Sequence, residues 1–179
     1  MTIEEHYNAI APKLTSYLMG SGLSYSTACD IVQETFLRVW KRRDELLDDP
    51  AHVSGFVYTI ARNLRNDYAR KARREVLQEE IRDGDDGAGE SVITEGATGG
   101  YENRPGEADE EKRRLRERLN AALAQVPPLL REAFLLFQVS ELSIREIARQ
   151  TNASESLVKV RIHRAKEKLR EILQLEKKV

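Results

Sequence analysis

Apolar side chains recur at three- and four-residue steps through most of the 179 residues, and no segment alternates with a two-residue period long enough for a strand. That pattern predicts an all-α chain. A first helix carries Ile3, Tyr7, Ile10, Leu14, Tyr17 and Leu18 inward, opens on a Thr2–Glu5 capping box and stops at Gly20 and Gly22. A second runs from about Ser24 to Arg43, with Ile31, Val32, Thr35, Phe36, Val39 and Trp40 as a wide apolar stripe. Pro50 suits the first turn of a third helix. That helix uses Phe56, Val57, Ile60, Ala61, Leu64 and Tyr68 as core, turns strongly basic and ends near residue 80. A fourth, over about 110–125, has Leu115, Leu119, Ala122, Leu123 and Val126 apolar. Pro127 and Pro128 break it from a fifth, at about 128–139, with Leu130, Phe134, Leu135 and Phe137.

The stretch LSIREIARQTNASESLVKVRIHRAKEKLR, residues 142–170, predicts a helix-turn-helix. Ser143 and Glu146 have capping-box spacing, Ile144, Ile147 and Ala148 form a short apolar face, and Asn152 falls at the turn, where it tolerates a left-handed backbone. Ser154 then caps a longer helix with Leu157, Val158, Ile162, Ala165 and Leu169 inward. Its other faces carry Lys159, Arg161, His163, Arg164, Lys166, Lys168 and Arg170. A short helix, a turn and a basic helix suit a DNA major groove.

Net charge is −1, which by itself argues nothing for nucleic acid, but the distribution does. Residues 60–74 hold six positive charges against Asp67, a net of +5, and residues 141–170 hold eight against four, a net of +4. Between them, residues 75–111 carry thirteen acidic residues against Arg82 and Arg104, a net of −11. Seven of the ten glycines lie between Gly84 and Gly106 with little to bury, so this stretch predicts a flexible acidic linker. The expected organisation is two small helical domains, 1–80 and 111–179, joined by a linker at 81–110.

Candidate chemistry is sparse. Cys29 is the single cysteine, so an intrachain disulfide and a four-thiolate metal site are excluded. His6, His52 and His163 fall in three different segments, and no phosphate loop, Gly-x-Ser-x-Gly elbow or His-Glu-x-x-His is present. The acidic run DGDDGAGE fails as a calcium loop, because Gly87 stands where an oxygen ligand is needed and Thr94 replaces the last glutamate. No catalytic residue, metal or cofactor is expected. Neither a membrane span nor a signal peptide is evident, so a soluble cytoplasmic protein is expected. On the third helix Asn63, Asp67, Arg70 and Arg74 share one ridge, where amide and carboxylate can read exposed base edges and arginines can hold phosphates.

Several ordered motifs resemble the bacterial sigma factors of the extracytoplasmic-function type. They are D-x-x-Q-E-T-F-L-R-x-W from Asp30 to Trp40, I-A-R-N-x-x-x-D from Ile60 to Asp67, the Val126-Pro127-Pro128 segment through Leu136, and Glu146 to Ala165. The resemblance covers about 5–74 and 112–174. It implies that Asp30, Gln33, Glu34, Phe36 and Trp40 dock on the clamp coiled coil of core RNA polymerase. It implies that Asn63 and Asp67 face the −10 promoter element, with Arg70, Arg73 and Arg74 on nearby backbone. Lys159, Val160, His163 and Arg164 would face the −35 duplex. Promoter DNA and core polymerase are the implied partners, and an anti-sigma protein a further one. Promoter elements in this family lie one and a half duplex turns apart, roughly 50–60 Å. The 37 residues of 75–111 extend to roughly 120 Å, so they can span that distance when stretched. Their acidity suits a positively charged polymerase channel.

Four positions depart from the family pattern. Thr151 and Asn152 stand where Leu and Gly are favoured, Val160 replaces a common Ser, and Phe56 takes the place of a frequent Trp. Val160 can meet a thymine methyl, so promoter preference does not transfer from relatives. A stand-alone helix-turn-helix regulator is the alternative reading. It has no need of the Asp30–Trp40 face.

Overall fold

The computed structural model describes residues 3–46, 50–83, 110–140 and 142–176, and every regular element among them is a helix. In chain order these are α1 (Ile3–Gly20), α2 (Tyr25–Lys41), α3 (Arg43–Leu46) and α4 (Pro50–Asp83), then α5 (Glu110–Ala124), α6 (Pro128–Val139), α7 (Ile144–Thr151) and α8 (Glu155–Glu176). Residues 84–109, which include most of the expected linker and of the stretch weighed as a calcium loop, lie outside the described residues, as does the Thr2 cap.

Helix ends follow local chemistry. α1 stops where Gly22 adopts φ 100°, and the Ser21 amide returns to the Tyr17 carbonyl at 3.0 Å. Ser24 caps α2, its Oγ accepting from the Thr27 amide at 3.1 Å. Pro127 precedes α6, and Pro128 occupies the first helical position, where a missing amide leaves no bond unmade.

α1, α2 and α4 pack together around Leu14, Tyr17, Leu18, Val32, Val57 and Tyr58, all buried, with Tyr17 and Tyr58 edge-on at 5.6 Å. α6, α7 and α8 enclose Leu136, Ile147, Val158, Ile162 and Ala165. These two groups are not separate islands. α1 also packs on α5 and α6, and buried residues from both halves form one continuous apolar cluster. Gly20 lies at that contact: a Cβ there would stand 2.8 Å from Leu135 Cδ2, whose side chain would have to shift.

Several apolar positions of the expected helices, Tyr7, Tyr68 and Leu157 among those expected inward, are exposed instead. Tyr7 is 41% exposed, Tyr68 46%, Leu115 63%, Leu119 42%, Phe137 37% and Leu157 42%. Periodicity identifies the apolar side of a helix but not how much of that side its neighbours cover.

Candidate nucleic-acid and protein interfaces

The α7–α8 unit is built around its turn. The Ser143 Oγ accepts from the Glu146 amide at 3.3 Å, and the Glu146 carboxylate accepts from the Ser143 amide at 2.8 Å, completing the capping box. Asn152 closes α7 in the left-handed region at φ 50°, ψ 50°, while the Ala153 amide reaches back to the Ala148 carbonyl at 3.0 Å. Ser154 caps α8, accepting from the Leu157 amide at 3.1 Å. With Val158, Ile162, Ala165 and Leu169 in the core, the opposite side of α8 is fixed outward.

Lys159, Val160, His163 and Arg164 are all exposed there. His163 Nε2 lies 3.3 Å from Glu167 Oε1, so one anion stands among the cations. Arg145 and Arg149, one turn apart on α7, line an open groove with Asn152 and Ser154 at the start of α8. Two cations beside a helix N-terminus suit a backbone phosphate. Sequence reading overlooked them, although their four-residue spacing places both on one side of α7.

Asn63, Asp67, Arg70, Arg73 and Arg74 are exposed along α4, and Asp67 accepts a hydrogen bond from Arg70 Nη2. The ridge presents an amide and an ion-paired carboxylate, with cations further along the helix. Tyr68, expected in the core, offers an exposed ring on the adjoining side, a surface on which an unstacked base can lie.

The basic block on α4 is divided, however. Arg62 and Arg65 turn away from the ridge to Glu132 on α6: Arg62 Nε donates to Glu132 Oε1 at 2.8 Å and Arg65 Nη2 to the same oxygen at 2.7 Å. Arg65 Nη1 also donates to the Tyr17 hydroxyl at 2.9 Å. Burial alone would raise the Glu132 pKa, but Arg65 and then Arg62 outweigh it and hold the carboxyl below its ordinary value. Burial pushes the Tyr17 phenol up to about 12 despite the Arg65 charge, so it stays neutral.

On α2, Asp30, Gln33 and Glu34 are exposed, and Glu34 accepts from Arg38 Nε at 2.7 Å. Trp40 is 55% exposed with the Arg43 guanidinium 5.3 Å from its ring, and Leu37, passed over in the sequence, is 58% exposed. Phe36 does not join this face. It is 7% exposed and packs edge-on against Tyr7 at 4.8 Å, because position 36 lies on the stripe that α2 turns toward α1. It supports the face from beneath.

No group of three or more metal-ligating side chains occurs among the described residues, and none of their helices is long and apolar enough to cross a membrane.

Comparison with known proteins fits this geometry. Sigma-70 region 2 matches residues 6–75, and Sigma-70, region 4 matches residues 116–169. The ECF RNA polymerase sigma factor SigM of Bacillus subtilis is 25% identical over 95% of this chain and 94% of its own. The ECF RNA polymerase sigma factor RpoE of Cereibacter sphaeroides is 30% identical over 93% of this chain and 83% of its own. Among solved structures, the sigma factor RpoE from Bartonella quintana, in complex with the anti-sigma factor NepR, is similar in fold. Its TM-score is 0.67 at 23% identity, with 96% of each chain covered.

Proposed function

The chain belongs to the sigma-70 family, as a member of its extracytoplasmic-function type, and directs promoter-specific transcription; from that premise we propose how its surfaces divide the work. Residues 1–80 hold core RNA polymerase and the −10 element, 111–179 hold the −35 element, and 81–110 tether the two. Asp30, Gln33, Glu34, Leu37 and Trp40 form the docking face on the polymerase clamp. Asn63 and Asp67 meet −10 bases, Tyr68 stacks on one of them, and Arg70, Arg73 and Arg74 neutralise adjoining phosphates. Lys159, Val160, His163 and Arg164 read the −35 duplex, with Arg145 and Arg149 on its backbone.

One observation carries this reading above that of a stand-alone regulator. α2 leaves Leu37 and Trp40 more than half exposed, at 58% and 55%, between exposed carboxylates. An aromatic and aliphatic pair rimmed by charge is the composition of a protein-docking patch, and binding duplex DNA does not require it. The chain carries out no covalent step itself: recruitment and melting need only captured bases and neutralised backbone. It works in the cytoplasm. An anti-sigma protein, the kind of partner with which the Bartonella relative was solved, is a further proposed partner.

The test is run-off transcription with sigma-free core polymerase and a library of genomic fragments. Selective start sites are expected on addition of the purified chain. Random initiation in the presence of verifiably folded protein would overturn the reading.

A further inference from the structure

Two apolar side chains stand in the open on the cationic helix α8. Leu157 is 42% exposed and Val160 44%, although the same helix buries Val158, Ile162, Ala165 and Leu169. This is not slack at a helix end. The Leu157 amide donates to the Ser154 Oγ at 3.1 Å and the Val158 amide to the Ser154 carbonyl at 3.0 Å, so the first turn is capped and set. Turning Leu157 inward would carry Val158, its neighbour and fully buried, out of the core.

Position and surroundings say what meets this pair. Residues three apart on a helix are neighbours, with Cβ atoms about 5–6 Å apart, so Leu157 and Val160 form one small apolar ridge over the first two turns of α8. In a helix-turn-helix, those turns of the second helix reach the base edges. Residues 159–170 carry six cations against Glu167, a rim that suits the phosphates on either side of a groove. Two side chains also fall far short of the roughly 800 Å² that each partner gives to a stable protein interface. The apolar group that the major groove displays is the C5-methyl of thymine. Base pairs rise about 3.4 Å per step, so the methyls of two neighbouring pairs come within reach of both side chains.

We propose that Leu157 is a specificity-determining residue: together with Val160 it reads the methyl groups of thymines in two neighbouring base pairs of the −35 element. This rests on the assignment of α8 to the −35 duplex and deepens it, because it adds a base preference that cations on phosphates do not give. Hydrogen bonding cannot supply the same discrimination. Uracil offers the O4 acceptor that thymine does and differs only in lacking the methyl.

The test uses holoenzyme reconstituted from core polymerase and the full chain, with promoter fragments recovered as selective start sites in run-off transcription. Each thymine of the −35 element, on either strand, is replaced in turn by deoxyuridine, which keeps the pairing and removes one methyl. Competition binding is expected to show about a three- to fivefold loss of affinity at each of two neighbouring base pairs. Leu157→Ala should abolish the loss at one of them and Val160→Ala at the other. An element in which every thymine can be replaced without loss overturns the proposal, as does one without neighbouring A·T pairs. A loss that persists undiminished in both variants gives the methyls to other side chains and overturns it equally. The scan on wild type depends on no variant, and Leu157→Gln replaces Leu157→Ala should the latter lose helical circular dichroism. If scrambling the −35 element leaves wild-type affinity unchanged, the assignment of α8 itself falls, an outcome distinct from a scan without effect.

Discussion

Glu132 shows how a single carboxylate is set by what surrounds it. Burial favours its neutral form, but Arg65 and Arg62 lower its pKa below the ordinary 4.5; Arg131 and the neutral Tyr17 also lie close. A depressed carboxyl contributes stability that is complete above the unfolded value and is lost as pH falls through the folded one. Glu132→Gln should therefore cost about 1.5–3 kcal/mol near neutrality and progressively less below about pH 4.5. Urea unfolding of both proteins at pH 7 and pH 3.5 checks this, and an equal difference at the two values would contradict it. On α8, Glu167 places a carboxylate 3.3 Å from His163 on the face assigned to the −35 duplex. Glu167→Gln should tighten binding to that duplex, whereas Arg164→Ala should weaken it by about 1–3 kcal/mol. Fluorescence anisotropy against specific and scrambled duplexes separates the two effects. At this scale the capping pair Ser143–Glu146 and the left-handed Asn152 were legible in the sequence, since each needs only its own neighbours. The inward turn of Arg62 and Arg65 was not. Nothing local distinguishes an arginine bound for phosphate from one bound for a carboxylate 67 residues away.

Helices resolved best from the sequence where two signals coincided, an apolar stripe and a terminating residue. α2 ends within two residues of its expected bounds because Ser24 caps it and its stripe is wide. α5 has the right extent and the right face, but only part of that face is covered: Ala122 and Leu123 in its last turns are buried, while Leu115 and Leu119 lie outside the core. α2 also separates a buried side from an exposed one cleanly. Its inner side holds Ile31, Val32, Thr35 and Val39 in the core, and its outer side holds Leu37 and Trp40. Replacing Leu37 with Ser and Trp40 with Ala together should cut co-purification with core polymerase at least tenfold while moving stability by no more than about 1 kcal/mol, as exposed positions do. Phe36→Ala should instead destabilise by about 3–5 kcal/mol, the cost of emptying a buried aromatic site. If the exposed pair destabilised as strongly as Phe36→Ala, the outer side of α2 would be core by another name.

Across the whole molecule, the ion pairs of Glu132 with Arg62 and Arg65 and the packing of α1 on α5 and α6 make two recognisable halves into one packed body, and this was the least legible feature in the sequence. Hydrophobic period assigns a face to each helix but leaves open which helices meet, and here the linker over 84–109 separates the partners. Gly20 alone gave a hint: it reads as a helix stop, yet it also lies close against the Leu135 methyls, which a Cβ there would displace. Coupling of this sort has a thermodynamic signature. α1 touches α2 and α4 on one side and α5 and α6 on the other, so melting either half strips α1 of part of its burial. The wild type should then unfold in one calorimetric transition whose van't Hoff and calorimetric enthalpies agree. Glu132→Ala removes the ion pairs to Arg62 and Arg65 and leaves mainly the packing of α1 on α5 and α6 between the halves, so they should melt separately, with the enthalpy ratio falling well below one. Two transitions in the wild type would mean that the halves are stable on their own and that their contact adds little. A single transition in the variant would move the coupling from Glu132 to the apolar contact between α1 and α6.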